Sequence, residues 1–239
     1  MTNDATMTNG APIPIVALDV PSAEAALRLA DRLGSACDFY KVGGELFTAA
    51  GPDVVRALRA RGADVFLDLK FHDIPNTVRQ SAASAAALGA RLLTVHASGG
   101  AAMLAAAVEG AGERCGVLAV TVLTSTDAPG LAAAWGRDSV DVDAEVLRLA
   151  ALAGDAAVHG IVCSGREAAS VRARFGGALR TLVPGVRFAD GAAHDQVRVV
   201  TPAEARRAGA GYVVLGRAVT AAADPVAALA RARRELAGG

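Results

Sequence analysis

Lysine is nearly missing from this chain of 239 residues: of its 24 basic residues only Lys41 and Lys70 are lysine, and the rest are arginine. Excess charge is missing too. Twenty-four acidic residues balance the basic ones and no basic run appears, which excludes the electrostatic footprint of a protein that grips a nucleic-acid backbone or an anionic membrane. Cys37, Cys115 and Cys163 are odd in number, scattered and without a CxxC pair, so buried free thiols are expected rather than disulfides or metal ligands. His72, His96, His159 and His194 share no metal spacing; His159 reads as structural or solvated, and His96, at a strand end, as a supporting residue at most. Aromatic residues make up only 4%, which suits tight packing of small-residue helices on strands, with Trp135 read as packing. Mean hydropathy is positive, yet no apolar run reaches membrane-spanning length. Met1 to Pro12 have neither the basic start nor the apolar centre of a signal peptide, so residues 1–12 are expected to be a flexible tail and the protein cytoplasmic.

What is present is a repeated alternation. Short apolar runs, each followed by a helical pattern, occur at Ile13–Asp19, Asp38–Gly44, Val65–Lys70, Arg91–His96, Gly116–Thr124, Gly160–Ser164, Thr181–Arg187 and Tyr212–Arg217. Ser22, the pair Asp224 and Pro225, and Pro202 are expected at helix starts, Gly34 at a helix end, and the helix after the second strand is expected to break near Gly51 and Pro52. After the fifth strand an irregular segment with Asp127, Pro129 and Trp135 is expected before a helix from about Val142 to Ala153. Eight strand–helix units in a chain of this length predict an α/β fold, a (β/α)8 (TIM) barrel forming a single domain over residues 13–239. An open doubly wound sheet is the alternative, but no GxGxxG follows the first strand.

The third unit, Val65 to Thr77, carries the most chemistry. Strand alternation puts Asp68 and Lys70 on one face and Leu67, Leu69 and Phe71 on the other. Pro75 is expected to set the turn, with a helix from Val78 to Leu88 stopping at Gly89. In a barrel the chemistry sits at the C-terminal strand ends, and Asp19, Lys41, Asp68 and Lys70 fall there, with Asp73 just after. An exposed edge-strand ion pair is the plainer reading of Asp68 and Lys70. The chain uses arginine nearly everywhere, so its two lysines point to a task arginine performs poorly, giving up a proton and taking it back. An ammonium flanked by Asp68 and Asp73 suits a proton donor better than a Schiff-base nucleophile. Across the ring, Gly185 with Arg187 and Gly216 with Arg217 fall after strands seven and eight, where such barrels hold phosphate.

Ala17-Leu-Asp19, Lys41-Val-Gly, Asp68-Leu-Lys-Phe-His-Asp-Ile-Pro-Asn-Thr77, Thr94-Val-His-Ala-Ser98, Leu123-Thr-Ser125, Val183-Pro-Gly-Val-Arg187, Asp195-Gln196 and Leu215-Gly-Arg217 together resemble the orotidine 5′-phosphate decarboxylases, in order and over nearly the whole chain. The resemblance implies a homodimeric barrel that converts orotidine 5′-monophosphate to UMP and carbon dioxide without metal or cofactor. It implies Lys70 as the acid that protonates C6, Asp68 beside the departing carboxylate, and Lys41 and Asp19 on the ribose hydroxyls and the charge array. Asp73 and Thr77 would reach the partner subunit's site. Thr124 and Ser125 would contact the pyrimidine, and Pro184, Arg187, Gln196, Gly216 and Arg217 would line the phosphate end under a closing strand-seven loop, about residues 185–196. Departures lie at Gly165 and Arg166 and at His194 and Val197 around the Asp-Gln pair. Two other functions stay open: a magnesium-dependent sugar-phosphate decarboxylase or aldolase on the same barrel, and a non-catalytic nucleotide-phosphate-binding barrel.

Overall fold

The computed structural model describes residues 10–190 and 199–239. Within them eight strands run parallel: β1 (Ile13–Ala17), β2 (Phe39–Gly43), β3 (Asp64–Phe71), β4 (Leu92–His96), β5 (Gly116–Val120), β6 (Gly160–Val162), β7 (Arg180–Val183) and β8 (Tyr212–Leu215). Each pairs with its sequence neighbours and β8 closes on β1, so the ring has no free edge and the fold is a (β/α)8 barrel, as expected. The first half of the chain supplies the helices α1 (Ala23–Leu33), α2 (Gly44–Ala50), α3 (Asp53–Ala60), α4 (Pro75–Ala87) and α5 (Ala101–Ala111). The second half supplies α6 (Ala128–Trp135), α7 (Val142–Asp155), α8 (Gly165–Phe175), α9 (Pro202–Arg207), α10 (Arg217–Thr220) and α11 (Pro225–Ala237).

Local chemistry sets the boundaries. Ser22 accepts a hydrogen bond from the Ala25 N–H and Asp224 from that of Ala227, while Ser164 with Glu167 and Thr201 with Glu204 form reciprocal capping boxes. α4 starts at Pro75 itself rather than at Val78, because proline at the first helical position needs no N–H and already has helical φ. The segment expected to be irregular after β5 contains α6. Asp127 caps it by accepting from the Gly130 N–H, Pro129 sits in its first turn, and Gly136 ends it in the left-handed region. β5 stops at Val120, short of the expected Thr124, because its partner β6 is only three residues long; the last ladder bond runs from the Thr121 N–H to the Val162 carbonyl. β7 stops before Pro184, which has no N–H to donate. β8 ends at Leu215, and Gly216 turns the chain into the short helix α10.

Two apolar layers hold the barrel. Ile15, Phe66, Leu118, Leu182, Val162 and Val214 pack inside the ring, closed below by Phe39, Leu92 and Tyr212. Outward-facing residues such as Val16, Val42, Leu67, Leu93 and Val213 pack under the helices. The N-terminal end of the barrel is tied by ion pairs: Asp64 accepts from Arg59 and Arg91, each at 2.7 Å, and the buried Tyr212 hydroxyl lies 3.2 Å from the Arg180 guanidinium and 3.0 Å from His159 Nε2. The three cysteines are free and buried: Cys37 just before β2, Cys115 just before β5 and Cys163 just after β6. Among the described residues no helix is long and apolar enough to cross a membrane. Of the expected tail over 1–12, residues 1–9 lie outside the described residues, as do His194, Asp195, Gln196 and Val197.

Candidate active site

A cleft of about 520 Å³ opens at the C-terminal end of the barrel. Its walls differ in character. Asp19, Lys41, Asp68 and Lys70, from the β1–β3 sector, form a charged wall, with Glu45 of α2 beside them. Phe66, Val120, Val162, Leu182 and Val214 form an apolar floor, with Val122, Leu123 and Thr124 at its β5 side. Pro184, Gly185, Arg187, Gly216 and Arg217 form the wall over β7 and β8.

The charged wall is a chain of contacts. Lys41, in the middle of β2 rather than at its end, has its side chain 10% exposed and places Nζ 2.7 Å from Asp19 Oδ1 and 3.8 Å from Asp68 Oδ2. Lys70 Nζ donates to both Asp68 oxygens, at 2.8 and 2.9 Å. Carboxylate and ammonium thus alternate along Asp19, Lys41, Asp68 and Lys70. Asp68 is 14% exposed, so removing either lysine would leave its charge short of compensation in a poorly solvated place.

The backbone under Lys70 departs from a regular strand. β3 pairs Leu67 with Leu93 of β4 and next pairs Phe71 with Val95, so Asp68, Leu69 and Lys70 face Thr94 alone. Such an irregularity re-aims side chains. Lys70 has φ of +50°, a left-handed conformation that costs a residue with a side chain on the order of 1–3 kcal/mol; among the described non-glycine residues only Ala157, in the turn before β6, shares it. Thr94 supports the bulge from below: its buried hydroxyl accepts from the Lys70 N–H at 2.9 Å and donates to Asp68 Oδ1 at 2.9 Å. Sequence reasoning gave Thr94 no role. The available signal was a threonine at an inward position of β4, between the apolar Leu92 and His96 on the same face.

Asp73 does not flank Lys70 in this chain. Its carboxylate accepts from the N–H of Ile74 at 2.6 Å and is exposed, as is Thr77, and Ile74 next to it is 67% exposed. Among the described residues the ammonium therefore has one carboxylate partner, Asp68. Ser125 is exposed and outside the cleft lining, whereas Thr124 is in it. His72 lies beside His96, ring centroids 5.3 Å apart. Burial, then the neighbouring His72 and Lys70, hold the His96 pKa below its usual value, with Asp68 opposing.

The stem of the β7–α9 loop is anchored. Arg187 N–H donates to the Val200 carbonyl at 3.0 Å, joining the two sides of the loop, and the Arg231 guanidinium lies 4.2 Å from the Phe188 ring centre and 3.0 Å from Asp190. That arginine holds the Asp190 carboxyl below the ordinary carboxylate range.

A family model described as orotidine 5′-phosphate decarboxylase / HUMPS family matches residues 12–232. Among curated proteins, the orotidine 5′-phosphate decarboxylase of Alkalilimnicola ehrlichii is 54% identical over 231 residues, covering 93% of this chain and 95% of that one. That of Bacillus caldolyticus is 47% identical over 233 residues, covering 94% and 95%. Among solved structures, orotidine 5′-phosphate decarboxylase from Lactobacillus acidophilus superposes with a TM-score of 0.84 at 36% identity, covering 95% of this chain and 99% of that one.

Proposed function

The chain belongs to the orotidine 5′-phosphate decarboxylase / HUMPS family, and we propose that it converts orotidine 5′-monophosphate to UMP and carbon dioxide with Lys70 as the proton donor. It is a carboxy-lyase of pyrimidine biosynthesis. The observation that carries Lys70 is its geometry: an ammonium held at 2.8 and 2.9 Å by one carboxylate, on a strained bulge, facing a cleft whose opposite wall carries Arg187 and Arg217.

The chemistry follows from where charge moves. Loss of carbon dioxide leaves an electron pair on C6 of the ring, and a fixed ammonium at that carbon stabilises it and then supplies the proton. Asp68 keeps the ammonium aimed. Both of its oxygens are engaged by Lys70 and one also by Thr94, which fixes the carboxylate beside the place of the departing carbon dioxide. Lys41 and Asp19 hold the ribose hydroxyls and complete the array, Thr124 meets the pyrimidine, and the apolar floor keeps water from the carbanion. Pro184, Arg187, Gln196, Gly216 and Arg217 take the phosphate, whose binding energy is spent on ordering the reacting end.

The active assembly in this reading is a homodimer. The exposed Asp73, Ile74 and Thr77 of one protomer complete the partner's site. The magnesium-dependent alternative needs carboxylates that converge on a cation. Lys41 instead brings an ammonium between Asp19 and Asp68.

Loss of orotidylate absorbance, followed with purified protein in the presence of a chelator, tests the reading. Turnover unaffected by chelator is expected. Absence of turnover would end the proposal, and strict dependence on magnesium would favour the sugar-phosphate alternative.

A further inference from the structure

Gly43 ends β2 and sits opposite Asp68 in the ladder. Its backbone gives no reason for glycine. With φ of −94° and ψ of −179° it is ordinary extended chain, unlike Gly34, Gly51 or Gly136, whose positive φ values favour glycine. As the residue preceding α2 it is also a poor choice, since serine or aspartate would cap that helix better and no side chain caps it now.

The space beside it does give a reason. A Cβ on residue 43 would lie 2.8 Å from Lys41 Nζ and 3.5 Å from Asp19 Oδ1. Lys41 is two residues earlier on the same strand, so its side chain starts on the same face, one step deeper in the barrel. To bring its ammonium level with Asp19 and Asp68, the buried stem must climb along the strand past residue 43. Any side chain there would occupy the place where the ammonium now rests.

We propose that Gly43 is a positioning residue for the decarboxylation: its missing side chain is the slot that sets the height of the Lys41 ammonium between Asp19 and Asp68. An added methyl group forces Nζ back by more than half an ångström to reach ordinary contact. The moving atom is the tip of a flexible side chain, so the fold is kept while the charge array is disturbed. Misplacement on this scale in an active site lowers turnover by roughly tenfold to a hundredfold. The inference rests on the role assigned to Lys41 above.

Gly43→Ala and Gly43→Ser test it, with Gly44→Ala as the neighbouring control, because a Cβ at Gly44 meets nothing within 4 Å. With only two lysines in the chain, protein labelled with carbon-13 and nitrogen-15 in lysine gives two side-chain signal sets, assigned by Lys41→Arg and Lys70→Arg. Both Gly43 variants should shift the Lys41 signals and lower kcat on orotidine 5′-monophosphate at least tenfold. Melting should be unchanged, or raised for serine, and the control should behave as wild type. Unmoved Lys41 signals, kcat within twofold, loss of the folded state, or an equal loss in Gly44→Ala would each overturn the proposal. Wild-type protein without turnover would instead count against the decarboxylase reading, and the lysine signals would still decide the role of Gly43.

Discussion

Lys70 combines two costs in one residue: a left-handed backbone and a charge dependent on a carboxylate that is itself mostly buried. Lys70→Ala should therefore lower kcat by about 10³-fold or more while UMP binding, read by calorimetry, largely survives. Lys70→Arg should fail nearly as badly, because a guanidinium keeps its proton. Thr94→Val removes a donor to Asp68 and leaves the Lys70 N–H without its acceptor, a loss of about 1–3 kcal/mol that denaturant unfolding would register. His96 titrates in the other direction from a salt-bridged group. Its pKa is lowered in the folded state, so above the unfolded value of 6.5 both states are neutral and it contributes no pH dependence. As pH falls below 6.5 the unfolded state takes up the proton first, and stability declines until the folded value is reached. The melting temperature should drop as the pH falls below about 6.5, and His96→Gln should flatten that part of the profile.

At the scale of elements, α4 and α5 pack closely against one another. A Cβ at Gly110 would stand 2.1 Å from the Arg79 carbonyl oxygen, and backbone cannot swing aside as a side-chain tip can. Gly110→Ala should destabilise the barrel by about 1–3 kcal/mol in denaturant unfolding, although alanine is the better helix former. Most elements were legible in the sequence because each strand alternates with a helix that has its own start and stop residues; Ser22, Pro202 and Asp224 act where expected. α6 was not legible as a helix: Asp127, Pro129 and Gly136 mark its ends, but its apolar composition shows little periodicity between them. What could not be read were features belonging to two strands at once. The short β6 ends β5 early, and the bulge at Lys70 exists only in the pairing of β3 with β4. Of the site, Asp19, Lys41, Asp68, Lys70, Thr124, Pro184, Arg187, Gly216 and Arg217 converge on one cleft, because residues at the C-terminal ends of parallel strands in a closed ring must face one another.

Across the whole molecule the barrel separates two jobs. Ion pairs centred on Asp64 brace the N-terminal end, and the charges of the cleft occupy the other. If Asp73 serves the partner's site, Asp73→Ala and Lys70→Ala are each nearly inactive alone, yet mixing them lets one hybrid site carry both native residues. Equal amounts, after subunit exchange, should recover about a quarter of wild-type activity from random pairing. Recovery of none would place Asp73 and Lys70 in the same site or show that the subunits do not exchange, and native mass spectrometry separates these two outcomes.

The three buried thiols add a use that has nothing to do with catalysis. Burial raises the Cys37 thiol and pushes Cys115 up to about 12, so thiolate is scarce at ordinary pH. With Cys163 equally enclosed beyond β6, an alkylating reagent must wait for the protein to open beside each sulfur. The cysteines are spaced around the ring next to β2, β5 and β6, and thus act as three clocks set into one hoop. A ring that gives way only as a unit would have all three modified in native buffer at one shared rate, whereas three separate rates would mark local opening beside each sulfur.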